Sequence, residues 1–174
     1  MSEATLARQP APLVPAGPVL ARLTALLLPL GLLGGALGSQ YLGGLVPCEM
    51  CYWQRWPHGA AILLAGFAFT GPPASERSRT LTLLAALAIA VSGAIGVYHA
   101  GVELGIFEGL TTCTSIASGA SNAELLNAIM NAPLVRCDQV QFAFLDISMA
   151  GWNAILSLGG AALITWLTLR ARTA

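Results

Sequence analysis

The chain has 174 residues, 56% of them hydrophobic and 9% charged, with a mean hydropathy of +0.72 and a formal net charge of zero. So apolar a composition excludes an ordinary soluble domain and reads as a polytopic membrane protein. All eight basic residues are arginines and they balance eight acidic ones, so the basic face that nucleic-acid binding needs is missing.

Residues 1–18 are rich in Pro and Ala, with Pro10, Pro12, Pro15 and Pro18, and read as a disordered tail. The remainder, 19–174, reads as a single transmembrane domain. Its first apolar run, Leu23 to Tyr41, is long enough to cross a hydrocarbon core, which takes about 20 residues. A cleavable signal peptide is the competing reading, because Arg22 precedes the run and Ala36-Leu37-Gly38 imitates a small-residue cleavage site, but the run is long for such a segment. Pro29 is expected to kink this span, and the pairs Gly31/Gly35 and Gly34/Gly38 to let a neighbouring helix approach closely.

Next comes Pro47-Cys48-Glu49-Met50-Cys51-Tyr52-Trp53-Gln54-Arg55. Closing so short a loop with a disulfide stabilises a fold little, so this Cys-x-x-Cys suits redox cycling better than stapling. With a helix starting near Glu49, Cys51 falls in its first turn, where unpaired N–H groups favour a thiolate, and Arg55 falls on the same face one turn on. Against that, an arginine near a membrane interface can be a plain snorkelling anchor. Span two is expected over 51–70, with Pro57 inside its first turns; Glu49, Gln54 and His58 are read as local environment.

A polar loop, Gly71 to Arg79, leads to span three over about 80–101, whose Ser92, Gly96 and Ala100 suit interhelical packing. Tyr98 and His99 stand at its far end, His99 readable as an interfacial polar residue or as part of a site. The segment 102–146 holds Cys113 and Cys137. Within it, Thr111 to Gly119 should be mobile, and Ser121-Asn122-Ala123-Glu124 has capping-box spacing before Leu125, Leu126, Ile129 and Met130, which predicts a short amphipathic helix on the membrane surface. Cys113 and Cys137 could be a permanent staple worth about 3 to 4 kcal/mol, or a redox pair. Span four, 147–169, opens with Trp152 and closes with Trp166, as interfacial anchors do.

Arginines 8, 22, 77, 79, 170 and 172 fall on one side of this four-span arrangement, and only Arg55 and Arg136 on the other. By the positive-inside rule the first side is cytoplasmic, so both termini are inside and all four cysteines lie outside, where disulfides persist. The fold class expected is therefore an all-α, four-helix transmembrane bundle. A four-cysteine zinc site is disfavoured by the wide second pair, and covalent c-type haem by Tyr52 after Cys51. A bis-histidine haem would need His58 and His99, the two histidines of the chain, to face each other.

Cys-x-x-Cys followed by Arg55, Tyr98-His99 at the end of span three, a separated cysteine pair in the second outer loop and Ser148-Met149-Ala150-Gly151-Trp152-Asn153 opening span four together resemble the disulfide bond formation protein B (DsbB) family. The resemblance runs over nearly the whole chain, with departures at Phe142 and Asp146, where tryptophan and glycine would be expected. It implies a bacterial inner-membrane enzyme that oxidises a periplasmic DsbA-like thioredoxin-fold protein and passes the electrons to ubiquinone or menaquinone. By position, Cys113 would form the mixed disulfide with the partner, Cys137 would be its mate, Cys48/Cys51 would reoxidise that pair, and Cys51 would meet the quinone, with Arg55 and His99 assisting there. No metal is implied. Two other readings are a non-enzymatic membrane protein with structural disulfides and a vitamin K epoxide reductase-like quinone reductase, the latter disfavoured because its Cys-x-x-Cys comes late in the chain.

Overall fold

A computed structural model of the chain describes residues 16–109, 121–123, 126, 130 and 135–170. The main elements among the described residues are four long helices and one small hairpin: α1 Ala16–Tyr41, α2 Glu49–Ala68, α3 Glu76–Glu103, β1 Ala143–Phe144, β2 Ile147–Ser148 and α4 Met149–Arg170. Seven or fewer residues join α1 to α2 and α2 to α3, which makes neighbours antiparallel. In the bundle, α3 packs between α2 and α4, while α1 leans on α2 and α4 and barely touches α3.

Helices α1, α3 and α4 are each long and apolar enough to cross a membrane. At 20 residues α2 has the length, but Gln54, Arg55 and His58 lower its hydropathy. The interior is built from small and polar residues such as Ala25, Ala61, Ala65, Ala85, Ser92 and Ser157, with Ile89 and Ile164 among the few large ones. Leucines such as Leu27, Leu63, Leu87 and Leu163 point outward. An apolar outside around a small, polar inside is what lipid as solvent selects.

Element boundaries differ from expectation where local chemistry sets them. The helix α1 begins at Ala16, so residues 16–18 of the expected tail are helical, with Pro18 in the first turn where its missing N–H costs nothing; residues 1–15 lie outside the described ones. Span three starts at Glu76 rather than Thr80 because Ser75 caps it, accepting from the Ser78 N–H at 3.3 Å. It ends beyond Gly101, where Gly105 takes φ +70° and the Ile106 N–H reaches the Gly101 carbonyl at 2.8 Å, closing a glycine C-cap. Span two runs from Glu49 to Ala68, two residues ahead of expectation. Span four begins at Met149 because Ile147 and Ser148 pair with Phe144 and Ala143 in the hairpin, so the all-α expectation needs that amendment. In the expected surface helix, Asn122, Ala123, Leu126 and Met130 have helical backbone, and the residues between them lie outside the described ones.

At one end of the bundle arginines cap helices. Arg22 is buried; its Nη1 donates to the Ala68 and Gly71 carbonyls at 2.9 Å, and its guanidinium lies 4.7 Å from the Phe69 ring centre. Arg79 donates to the Thr168 carbonyl at 3.2 Å. The cysteines described are at the opposite end. Of the glycines expected at helix seams, Gly96 is one: a Cβ there would sit 3.0 Å from the Ala150 carbonyl oxygen and 3.1 Å from the Ala154 nitrogen. Gly31, Gly34, Gly35 and Gly38 are not, since nothing within 4 Å would meet a Cβ at any of them. Gly96→Leu should therefore lower thermal stability in detergent by roughly 1 to 3 kcal/mol, while Gly34→Leu stays within about 0.5 kcal/mol. Equal losses would mean that α4 does not lie against α3 as closely as described.

Candidate active site

Cys48 follows Pro47 and sits at the N-cap of α2 in extended backbone, with φ −76° and ψ 173°. Cys51 follows in the first turn, so the helix itself brings the two sulfurs to 3.1 Å, with Cys48 donating to Cys51. Cys48 is buried and Cys51 partly so. Donating its hydrogen to Cys51, together with burial, pushes the Cys48 thiol up to about 12.

Cys137 arrives from the segment between α3 and the hairpin and is buried in the same small cluster as Cys48, Met50 and Val102, with Cys51, Tyr98 and Val135 around it. Beside it, Arg136 forks onto Asp138, donating to Oδ1 at 2.9 Å, and this exposed pair holds the Asp138 carboxyl below its usual range. The structure thus brings three of the four predicted cysteines together; Cys113 lies outside the described residues.

Arg55, one turn past Cys51, makes its hydrogen bonds to α1. It donates to Gln40 Oε1 at 2.5 Å and to the Ala36 carbonyl at 3.1 Å, both on the last turns of α1, and its guanidinium lies 5.1 Å from the Tyr52 ring centre. Its Nε is buried with no partner among the described residues. The side chain therefore ties α1 to α2 and keeps one donor in reserve.

His99 stands on the last turns of α3, with Glu103 one turn on. Its Nε2 is 3.6 Å from Cys48 Sγ and 3.8 Å from Glu103 Oε1, and its Nδ1 is 2.8 Å from Gln54 Nε2. The ring thus lies against Cys48 and also lines the cavity beneath it. Ser148 donates to Glu103, which fastens the hairpin to this end of α3.

Beneath the sulfurs an apolar cavity of about 590 Å³ opens between α1 and the other helices, lined by Gly31, Gly35, Ala36, Val46, Pro47, Phe142 and Met149, with Cys51, Arg55, His58 and His99 among its polar edges. Its size and lining suit a flat, mostly apolar ring. Cys48, Cys51 and His99 also place their donor atoms within 4.8 Å of one another, the spacing of a possible soft-metal trio.

The residues that sequence reasoning left as background form the polar centre of the bundle. Asn153 on α4 donates to Gln54 Oε1 at 2.8 Å and accepts from His58 Nε2 at 2.9 Å and from Ser157 Oγ at 3.0 Å. Ser92 donates to the Gln54 carbonyl at 2.8 Å. A signal for them existed in the sequence: Gln54 and His58 are one turn apart on α2, and Ser92, His99 and Glu103 recur at seven and four residues on α3. Polar residues repeated on one face of a membrane helix face the bundle interior.

A family model described as disulfide bond formation protein DsbB matches residues 19–167. Among similar proteins, disulfide bond formation protein B of Xanthomonas oryzae is 27% identical over 134 residues, covering 74% of this chain and 77% of the relative. That of Marinobacter nauticus is 28% identical over 133 residues, covering 72% and 76%. An uncharacterized protein of Rickettsia prowazekii is 24% identical over 123 residues, covering 69% and 70%. No solved structure matches the chain.

The ionised sulfur is the nucleophile in alkylation, and Cys48 stays protonated far above neutrality. Brief iodoacetamide treatment of the reduced protein at neutral pH, read by peptide mass spectrometry, should therefore leave Cys48 the slower of the pair. Equal labelling of Cys48 and Cys51 would contradict the direction of the hydrogen bond between them.

Proposed function

The chain belongs to the DsbB family of disulfide bond formation proteins, and on that premise we propose that it is a quinone-dependent oxidase of protein dithiols that reoxidises a DsbA-like thioredoxin-fold partner. The observation that carries this reading is the meeting of Cys137 with Cys48 and Cys51, the latter two lining an apolar cavity, in a membrane bundle. Structural disulfides would not need such a cavity beside the sulfurs.

In this reading Cys113 takes the partner's thiolate into a mixed disulfide, and Cys137 is its mate. The Cys113/Cys137 dithiol is then reoxidised by the Cys48–Cys51 disulfide. In each exchange a thiolate attacks one sulfur of a disulfide, one sulfur–sulfur bond forms, one breaks, and the electron pair leaves on the displaced sulfur. Burial of Cys137 in the Cys48 cluster supports that contact, since the exchange needs the two sulfurs to approach each other.

The residues present fit a quinone. The cavity is mostly apolar, and the buried Arg55 Nε, without a partner among the described residues, is a charged donor available to a carbonyl oxygen. Ubiquinone or menaquinone bound there supplies a two-electron, two-proton acceptor within the bilayer. Arg55 holds and orients it, and the Val46, Phe142 and Met149 side chains exclude water. In this reading the cysteine end of the bundle faces the periplasm, and the end carrying Arg22, Arg79 and Arg170 faces the cytoplasm, of a bacterial inner membrane.

Quinone reduction by the purified protein, supplied with a reduced thioredoxin-fold dithiol protein, tests the proposal. Wild type should turn over, and Cys51→Ser and Cys113→Ser should each stop turnover. Arg55→Ala should raise the apparent KM for quinone by about tenfold, in line with the loss of a hydrogen bond from a charged group. Absence of turnover in wild type with every dithiol and quinone tried would remove the oxidase reading, and an unchanged quinone KM would remove the role of Arg55.

A further inference from the structure

Two backbone carbonyls fix the orientation of the amides at the polar centre. The Ser92 carbonyl can only accept, so the Asn153 atom 3.2 Å from it is the Nδ2 donor. The same Nδ2 lies 2.8 Å from Gln54, which must present Oε1 there. Gln54 Nε2 is then the atom 3.2 Å from the Met50 carbonyl, an independent acceptor that demands the same orientation. With Nε2 donating to it at 2.8 Å, His99 Nδ1 is an acceptor and carries no hydrogen. The hydrogen of the ring is therefore on Nε2, facing Cys48 Sγ at 3.6 Å and Glu103 beyond it. Cys48 in turn donates to Cys51 at 3.1 Å.

We propose that Gln54 and Asn153 are positioning residues that hold His99 as its Nε2–H tautomer, so that one directed chain of hydrogen bonds runs from Gln54 through His99 and Cys48 to Cys51. In this chain His99 is a donor to the Cys48 sulfur and not the base that takes its hydrogen. Every donor points toward Cys51, and hydrogen bonds aligned head to tail polarise one another. A hydrogen on Nε2 also blocks the nitrogen that a metal ion between Cys48, Cys51 and His99 would need. A metal-bound histidine ordinarily donates from its other ring nitrogen, whereas Nδ1 here accepts. The functional meaning of the chain rests on reading Cys48 and Cys51 as a redox pair; the tautomer does not.

The same logic reaches His58. Asn153 Oδ1 accepts from its Nε2 at 2.9 Å, which leaves His58 Nδ1 bare, buried and without a partner among the described residues.

Nitrogen NMR of the reduced protein with labelled histidine is the test, and the chain has only two histidines to resolve. Both rings should show a protonated Nε2 and a bare Nδ1. A hydrogen on His99 Nδ1 would overturn the proposal. In Gln54→Glu the ionised carboxylate can only accept, so the His99 Nδ1 signal should move from the bare to the protonated type, and alkylation of Cys48 should become roughly tenfold faster. An unchanged His99 spectrum in that variant would remove the positioning role even if turnover fell. Gln54→Met, which deletes the donor without supplying an acceptor, should give a mixture of the two tautomers; retention of the single Nε2–H form would equally count against Gln54. If wild type instead reduced no quinone while its histidines showed the expected tautomers, the oxidase reading would fail and the tautomer assignment would stand.

Discussion

Polar groups inside a bundle surrounded by lipid must find their partners within it, because each one left unpaired in an apolar medium costs several kcal/mol. That constraint fixes α2, α3 and α4 against one another. Gln54 and His58 on α2, Ser92 on α3 and Asn153 and Ser157 on α4 satisfy each other across three helices, and no member can move without stranding another. Gly96 allows the approach, since a side chain there would meet the backbone of α4. The chemical result is that Cys48, at the very start of α2, is held against His99, near the end of α3.

Helix α1 obeys a different rule. It has no share in the polar centre, and its glycine-rich face meets nothing, so the volume that larger residues would fill remains as cavity. Arginines fasten it near both ends. Arg22 reaches from its first turns to the end of α2, and Arg55 reaches from α2 to its last turns. Packed on the bundle through Ala21, Ala25 and Leu28 and open only along its glycine-rich second half, α1 is a suitable wall for an apolar site.

The segment between α3 and α4 is pinned where it rejoins the bundle. Leu145 and Asp146 take φ of 52° and 60°, the two left-handed positions of a tight hairpin turn. Aspartate adopts that region with little penalty, whereas leucine pays about 1 to 2 kcal/mol. The turn is held by the Trp152 indole, which donates to the Phe144 carbonyl at 3.0 Å, and by Ser148 on Glu103. This anchoring places Gln139, Gln141 and Phe142 at the rim of the cavity.

The helical spans and the pairing of Cys48 with Cys51 were legible from residue order, because hydropathy and a three-residue spacing are properties of the local chain. The arginine bias was legible for the same reason. Helix boundaries at Ala16, Glu76 and Met149 were less so, since Ser75 as a cap and Ile147 as a strand residue depend on what each meets. What Arg55 binds, how Cys137 comes to lie beside Cys48, and why Gly31 and Gly35 line a cavity instead of a seam could not be read from the sequence. The same holds for Gln54, His58 and Asn153: their spacing marked an inward face, but their partners on other helices lie 34 to 99 residues away. The sequence by itself determined that this is an apolar helical protein carrying a Cys-x-x-Cys pair, because both are local. Only the tertiary structure decided which groups surround those sulfurs and which nitrogen of His99 carries its hydrogen, because those follow from contacts between helices that no local pattern encodes.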